Sequence, residues 1–174
     1  MERLAAQEGI RIRSREAGSR VGRGSIGGAP VLLALPQTYM NASGEAIFAL
    51  CQKNGIGPSE VCVVFDDVDL PLGNLRMRPR GTGGTHNGMR SVVGRLGTEV
   101  PRLRIGVRGE RYTRERDLAD YVLDPFSRSE REKFEESAAR AGEALRIWLS
   151  DGIDAAMRSA NVQPASPDGA SRPD

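Results

Sequence analysis

Val61-Cys-Val-Val-Phe65 is a run of five apolar residues, and Asp66-Asp-Val-Asp-Leu-Pro71 follows it without a break. A short apolar run closed by polar and turn residues reads as a strand buried on both faces. Asp66 and Asp67 then fall at or just past its carboxyl end. Upstream, Val31-Leu-Leu-Ala-Leu35 is a second such strand, stopped by Pro36. The polar stretch Pro36-Gln-Thr-Tyr-Met-Asn-Ala-Ser-Gly44 leads from it into a helix capped by Asn41, Ser43 or a neighbour. That helix runs to about Lys53, carries Ala46, Ala49 and Leu50 as its core stripe, and ends at Gly55.

Downstream, Leu75 to Arg78 alternates apolar and basic residues, as a half-exposed strand does. The glycine-rich segment Gly81-Thr-Gly-Gly-Thr-His-Asn-Gly88 opens a helix from Asn87 to Leu96. Leu103-Arg-Ile-Gly-Val107 is a further strand, and Phe134, Ala138, Ala141, Leu145 and Trp148 mark one side of a long helix. A short helix from about Glu2 to Glu8, closed by Gly9, starts the chain. Ile10 to Ile26 reads as an exposed strand pair or a loop. Strands alternating with helices predict a single α/β domain over residues 1–160. Asn161 to Asp174, rich in Pro, Ser, Gly and Asp, is expected to be a disordered tail. In α/β sheets ligands bind beyond the carboxyl ends of strands, so the three polar segments point to one site at one sheet edge.

The 174 residues suffice for one core. No apolar run approaches the roughly 20 residues of a membrane span, and Met1-Glu-Arg-Leu-Ala-Ala has no signal-peptide stretch. Cys51 and Cys62, both in apolar surroundings, read as buried thiols in a reducing compartment, with the cytoplasm as the expected location. The net charge of +2 conceals an asymmetry: from Asn74 to Arg114 ten arginines face two acids, Glu99 and Glu110, a balance of +8. A basic face of that kind attracts a polyphosphate such as RNA, or is a solvated surface.

Asp66 can orient a base or a water, or cap a turn before Pro71. Asp66, Asp67 and Asp69 do not form a calcium loop, because Leu70 and Pro71 stand where a ligand and a glycine are required; no metal is expected. Gly88 is followed by Met89 and Arg90, which excludes a Walker loop, and His86 breaks the dinucleotide pattern. The carboxamide of Asn87 near a helix start can donate to and accept from a substrate. His86, the one histidine, is either a general base partnered by Asp66 or a helix-entry side chain bonded locally. Ser43 lacks a nucleophile elbow.

Four segments, Pro36 to Gly44, Asp66 to Pro71, Gly83 to Gly88 and Arg102-Leu-Arg-Ile-Gly106, closely resemble the bacterial-type peptidyl-tRNA hydrolases, in the family's order and spacing. The resemblance runs to about Ser159. It implies one α/β domain with a mixed central β-sheet flanked by helices, acting as a monomer on peptidyl-tRNA, with no metal, cofactor or membrane. The activity implied is cleavage of the ester joining a peptide to the 3′ end of tRNA. It assigns Asp66 to holding the catalytic histidine, Asn87 to positioning water and ester, Tyr39 and Asn41 with Asn87 to the peptide and terminal-adenosine pocket, and Arg78 and Arg104 to the tRNA phosphate. It also implies an opening strand, a Gly-Asn-Pro-Gly loop and a Thr-Arg-His-Asn segment with the catalytic histidine, none of which residues 1–174 contain. The first central strand and the general-base histidine are therefore expected to be missing. A catalytically inactive tRNA- or RNA-binding homologue, or a truncated fragment, is the alternative.

Overall fold

A computed structural model describes residues 1–113 and 118–162. Helix α1 (Glu2–Gln7) is followed by a three-stranded antiparallel meander, β1 (Ser14–Glu16), β2 (Ser19–Ile26) and β3 (Ala29–Pro36). Both hairpins close with two-residue turns, Ala17-Gly18 and Gly27-Gly28, and all four residues have positive φ, as the twist of tight hairpins requires. Ile10 to Ile26 thus resolves as an extended lead-in and a strand pair. Helix α2 (Ser43–Asn54) then crosses to β4 (Val63–Pro71), and β5 (Leu75–Arg78), α3 (Asn87–Leu96) and β6 (Arg102–Arg108) follow. Strand β6 lies centrally, parallel to β4 and antiparallel to β5.

Helix α4 (Leu118–Leu123) precedes the long α5 (Arg128–Asp151), which begins with a capping box of Ser127 and Glu130, and α6 (Ile153–Ala160). Leu75, Met77 and Leu103 of β5 and β6 pack against Leu4, Ala141, Ala144, Leu145 and Ala156, so the main core lies between this sheet and α1, α5 and α6. Among the described residues no helix is long and apolar enough to cross a membrane.

The single α/β domain carries its mixed sheet in two halves, β1-β2-β3 and β4-β6-β5. No ladder joins β3 to β4 among the described residues. A slot of about 700 Å³ separates them. For this reason β4 is half-buried along Val63–Phe65 and not buried on both faces as its composition suggests. Two boundaries also differ from expectation. β4 continues through Asp66 and Asp67 to Pro71, because its pairing with β6 persists to Asp67↔Gly106, so the two aspartates stand within the strand. The N-cap of α2 is Ala42, with no side-chain capping bond from Asn41 or Ser43.

Asn161, placed by composition in the tail, is held. Its Oδ1 accepts from Met77 N at 2.7 Å and its amide donates to Met77 O at 3.3 Å, closing part of the free edge of β5. The rest of the expected tail, 163–174, lies outside the described residues.

Candidate active site at the polar end of the slot

Helix α3 is held against α2 by a close backbone approach that sets the site. Gly44 N donates to Ser91 Oγ at 2.9 Å, and a Cβ on Gly44 would lie 2.1 Å from Ser91 O. One turn earlier, a Cβ on Gly88 would lie 2.6 Å from Met40 Sδ. The 3₁₀ turn Met40–Ala42 therefore sits directly over the start of α3. This brings Pro36–Gly44 onto Gly81–Gly88, as the sequence reading requires. Tyr39, 88% exposed, and Asn41, also exposed, form the rim there, and neither side chain has a hydrogen-bond partner among the described residues.

His86 is the N-cap of α3. Its Nδ1 accepts from Met89 N at 3.1 Å, and its ring lies 4.6 Å from that of Phe65 on β4. This is the locally bonded helix-entry arrangement. Burial holds the ring below the ordinary histidine pKa; the carboxylates of Asp66 and Asp67 oppose the shift and Arg90 adds to it. The neutral ring, with its Nδ1 lone pair engaged, carries its proton on Nε2 and can only donate from there.

Asp66 and His86 line the same end of the slot, with Thr38, Ser43 and Gly88. Asp66 also borders a second cavity of about 240 Å³, with Val107, Phe126 and Phe134. Its carboxylate accepts no hydrogen bond from the described residues. Asn87, the first residue of α3, is exposed; its Oδ1 accepts from Arg90 Nη2, and its NH₂ has no partner among the described residues.

The arginines follow from strand register. Arg76 pairs with Arg104 and Arg78 with Arg102, so all four project from one face while Leu75, Met77 and Leu103 project into the core. Phe65 pairs with Arg104 on the other side of β6, which continues the row to the ring under His86. Of the two predicted arginines, Arg78 is half-buried without an ion pair among the described residues. Arg104 is not free: its Nε donates to Asp67 Oδ2. Arg102 is buried and donates to the carbonyls of Val100, Thr98 and Thr82, the last at 2.6 Å, which ties down the loop before α3. Arg76, exposed and unpaired among the described residues, belongs to the row, although the sequence reading does not single it out. The alternation in Leu75–Arg78 was sufficient signal for it.

No three His, Cys, Asp or Glu side chains converge as a metal site among the described residues. Burial pushes the Cys62 thiol up to about 12 and raises that of Cys51, so neither offers a thiolate nucleophile.

A family model described as peptidyl-tRNA hydrolase matches residues 1–168. The peptidyl-tRNA hydrolase of Chloroflexus aggregans is 47% identical over 163 residues, spanning 92% of this chain and 86% of that protein. That of Roseiflexus castenholzii is 47% identical over 167 residues, or 95% of this chain and 77% of that one. The crystal structure of the peptidyl-tRNA hydrolase of Acinetobacter baumannii superposes with a TM-score of 0.87 at 30% identity, over 95% of this chain and 84% of that one.

Proposed function

The chain belongs to the peptidyl-tRNA hydrolase family, whose reaction is hydrolysis of the ester between peptide and tRNA, and we propose how its side chains divide that work. Ester hydrolysis needs a held acyl group, donors for the oxyanion, and a base to take a proton from water. Asn87 offers an amide NH₂ that has no partner among the described residues, at the amino end of α3, where the helix dipole also favours developing negative charge. His86 Nε2–H, which lines the same cavity as Asp66, is a second donor. Asp66 is the carboxylate available to orient a histidine or a water. Tyr39 and Asn41 provide an exposed rim for the peptide and terminal nucleoside. Arg76 and Arg78, with Arg104 partly neutralised by Asp67, form a row suited to tRNA phosphates.

The proton acceptor is the part these residues do not supply. His86 is the one histidine of the 174 residues, and its free lone pair is spent on Met89 N. Turnover by this stretch alone is expected to lack the roughly 10²–10⁴-fold that general-base catalysis contributes. The reading places the protein in the cytoplasm, where the substrate is made, and as a monomer.

The observation that carries this assignment is the Asn87 amide NH₂, without a partner among the described residues, next in sequence to His86, which lines the cavity end with Asp66 and adjoins the arginine row. The test is cleavage and binding of an N-blocked aminoacyl-tRNA. Asn87→Ala should lower kcat by about 10²-fold with KM little changed, as for an oxyanion donor. Arg78→Ala should raise KM with kcat kept. A wild-type chain that neither retains tRNA nor cleaves the ester would sink the assignment.

A further inference from the structure

We propose that the outer edge of the β1-β2-β3 meander is an RNA contact of its own, in which Arg11, Arg13 and Arg15 grip the phosphate backbone of an RNA duplex. β1 and β5 are the outer strands of the two half-sheets, and the slot lies between β3 and β4. This group and the Arg76–Arg78 row therefore stand at opposite edges. The inference goes beyond the esterase reading, and its test needs no turnover.

The charges are uncompensated. From Gly9 to Arg15 the chain holds three arginines and no acid. All three are exposed, and none makes an ion pair or a side-chain hydrogen bond among the described residues. The carboxylates nearest in sequence are engaged elsewhere: Glu2 with Arg20 at 3.1 Å, Glu8 with Arg146 at 2.7 Å, and Glu16 with both Arg23 and Lys53. Two cations on the one Glu16 carboxylate leave further positive charge on the meander. Arg15 also stands directly opposite Arg20 across the β1–β2 ladder, a like-charge pair that a bound anion would relieve.

The backbone that presents them is fixed. Ile10 and Ile12 are buried, while Arg11 and Arg13 are exposed. The chain here lies against the glycines of β2: a Cβ on Gly22 would come within 2.8 Å of Arg11 O, and one on Gly24 within 2.6 Å of Ile10 Cγ1. Arg20 Nη2 donates to Ile12 O at 3.4 Å. The entropy of ordering this backbone is lost on folding, so binding has only the arginine side chains left to order.

The same surface selects its partner. No large apolar side chain is exposed between residues 9 and 36, so there is no apolar face to enter a membrane and no anchor for a protein interface. The stretch has no aromatic residue, which excludes a stacked single strand. A duplex backbone needs neither, because guanidinium groups take phosphate oxygens as bidentate forks.

The probe is a fluorescent RNA duplex of about 16 base pairs. Binding is measured in the full chain carrying Arg76→Ala and Arg78→Ala, which removes the other row. Expected is retained duplex binding whose log K falls against log salt with a slope of about 2–3, from three phosphate contacts of roughly 0.7–0.9 each. Adding Arg11→Gln, Arg13→Gln and Arg15→Gln should weaken it at least about tenfold at low salt with the melting temperature kept, and lysine at the same three positions should restore it. No duplex binding once Arg76 and Arg78 are gone overturns the proposal, as does binding that the three glutamines leave unchanged. A loss that lysine does not restore overturns it too, since charge would not then be what binds. So does capture by phosphatidylserine vesicles with the duplex left free, which would make the occupant a membrane.

Discussion

Substituting Gly44 by alanine tests the contact that brings the two polar segments together. The new Cβ would lie 2.1 Å from Ser91 O, 2.4 Å from Ser91 C and 2.8 Å from Val92 N, all backbone atoms that no rotamer change can move. Ordinary contact begins at 3.4 Å, so α2 and α3 must separate by about 1.3 Å at this point. Overpacking of this kind costs about 1–3 kcal/mol. Stretching the Gly44 N to Ser91 Oγ bond costs about 1 kcal/mol more. Gaining alanine in a helix returns up to about 1 kcal/mol, and less in the first turn. The balance is a loss of about 2 kcal/mol, or a Tm lower by about 4–8 °C for a chain of this length. Gly94→Ala is the control: it sits exposed in the interior of α3 with nothing within 4 Å of its Cβ, and should gain about 0.5–1 kcal/mol. Calorimetry of both variants decides the matter. KM for an N-blocked aminoacyl-tRNA should also rise in Gly44→Ala, since the shift carries Tyr39 and Asn41 away from Asn87. A Gly44→Ala chain as stable as wild type would refute the close approach.

Arg102→Met should destabilise the fold by about 3 kcal/mol, because the carbonyls of Thr82 before α3 and of Thr98 and Val100 after it lose a charged donor; thermal unfolding would show it, and a neutral result would remove Arg102 from its structural role. Arg76→Ala and Arg78→Ala should each reduce the slope of log K for tRNA against log salt by about 0.7–0.9, whereas Arg104→Ala should change it less, its charge being engaged by Asp67. An unchanged slope in all three would exclude the row as a phosphate contact. His86 has its pKa lowered on folding, so the unfolded chain takes up the proton first as pH falls. Its contribution is present above the ordinary value of about 6.5 and is lost as pH falls from there toward the folded pKa. Urea midpoints should therefore drop across that window, with His86→Gln flattening this part of the drop; a midpoint that rises on acidification would reverse the sign.

The elements whose residues alternate or repeat cleanly were legible. β5 and α3 begin and end where Leu75–Arg78 and Asn87–Leu96 predict. The carboxyl end of β4 was not, because three aspartates look like a loop until the ladder to β6 is seen to continue beneath them. The slot was legible only through the resemblance. Val61–Phe65 and Val31–Leu35 have the composition of strands buried on both sides whether or not a neighbour is present, so composition cannot report a missing partner. At the site, spacing identified the segments and left the pairings hidden. That Asp67 engages Arg104, that Arg90 engages Asn87, and that His86 spends its lone pair on Met89 are facts of register and helix phase.

Those pairings decide what kind of esterase site residues 1–174 make by themselves. In the proposed division of roles Asn87 and His86 present donors to an oxyanion at a helix start, and the one imidazole among the described residues has its Nδ1 lone pair engaged by Met89 N. Stabilising the product of attack without activating the attacker leaves hydroxide as the nucleophile. The rate of ester cleavage by this chain, corrected for the uncatalysed reaction, should then rise about tenfold per pH unit through pH 8 with no plateau. Free imidazole, a base of suitable pKa small enough for the slot end, should accelerate cleavage in proportion to its concentration, and should do so in wild type far more than in Asn87→Ala. A plateau near pH 7 that imidazole leaves unchanged would show that His86 does accept the proton. The Met89 N–H bond at the start of α3 would then have to open in the working enzyme, and exchange of that amide would be fast where the helix cap predicts it slow.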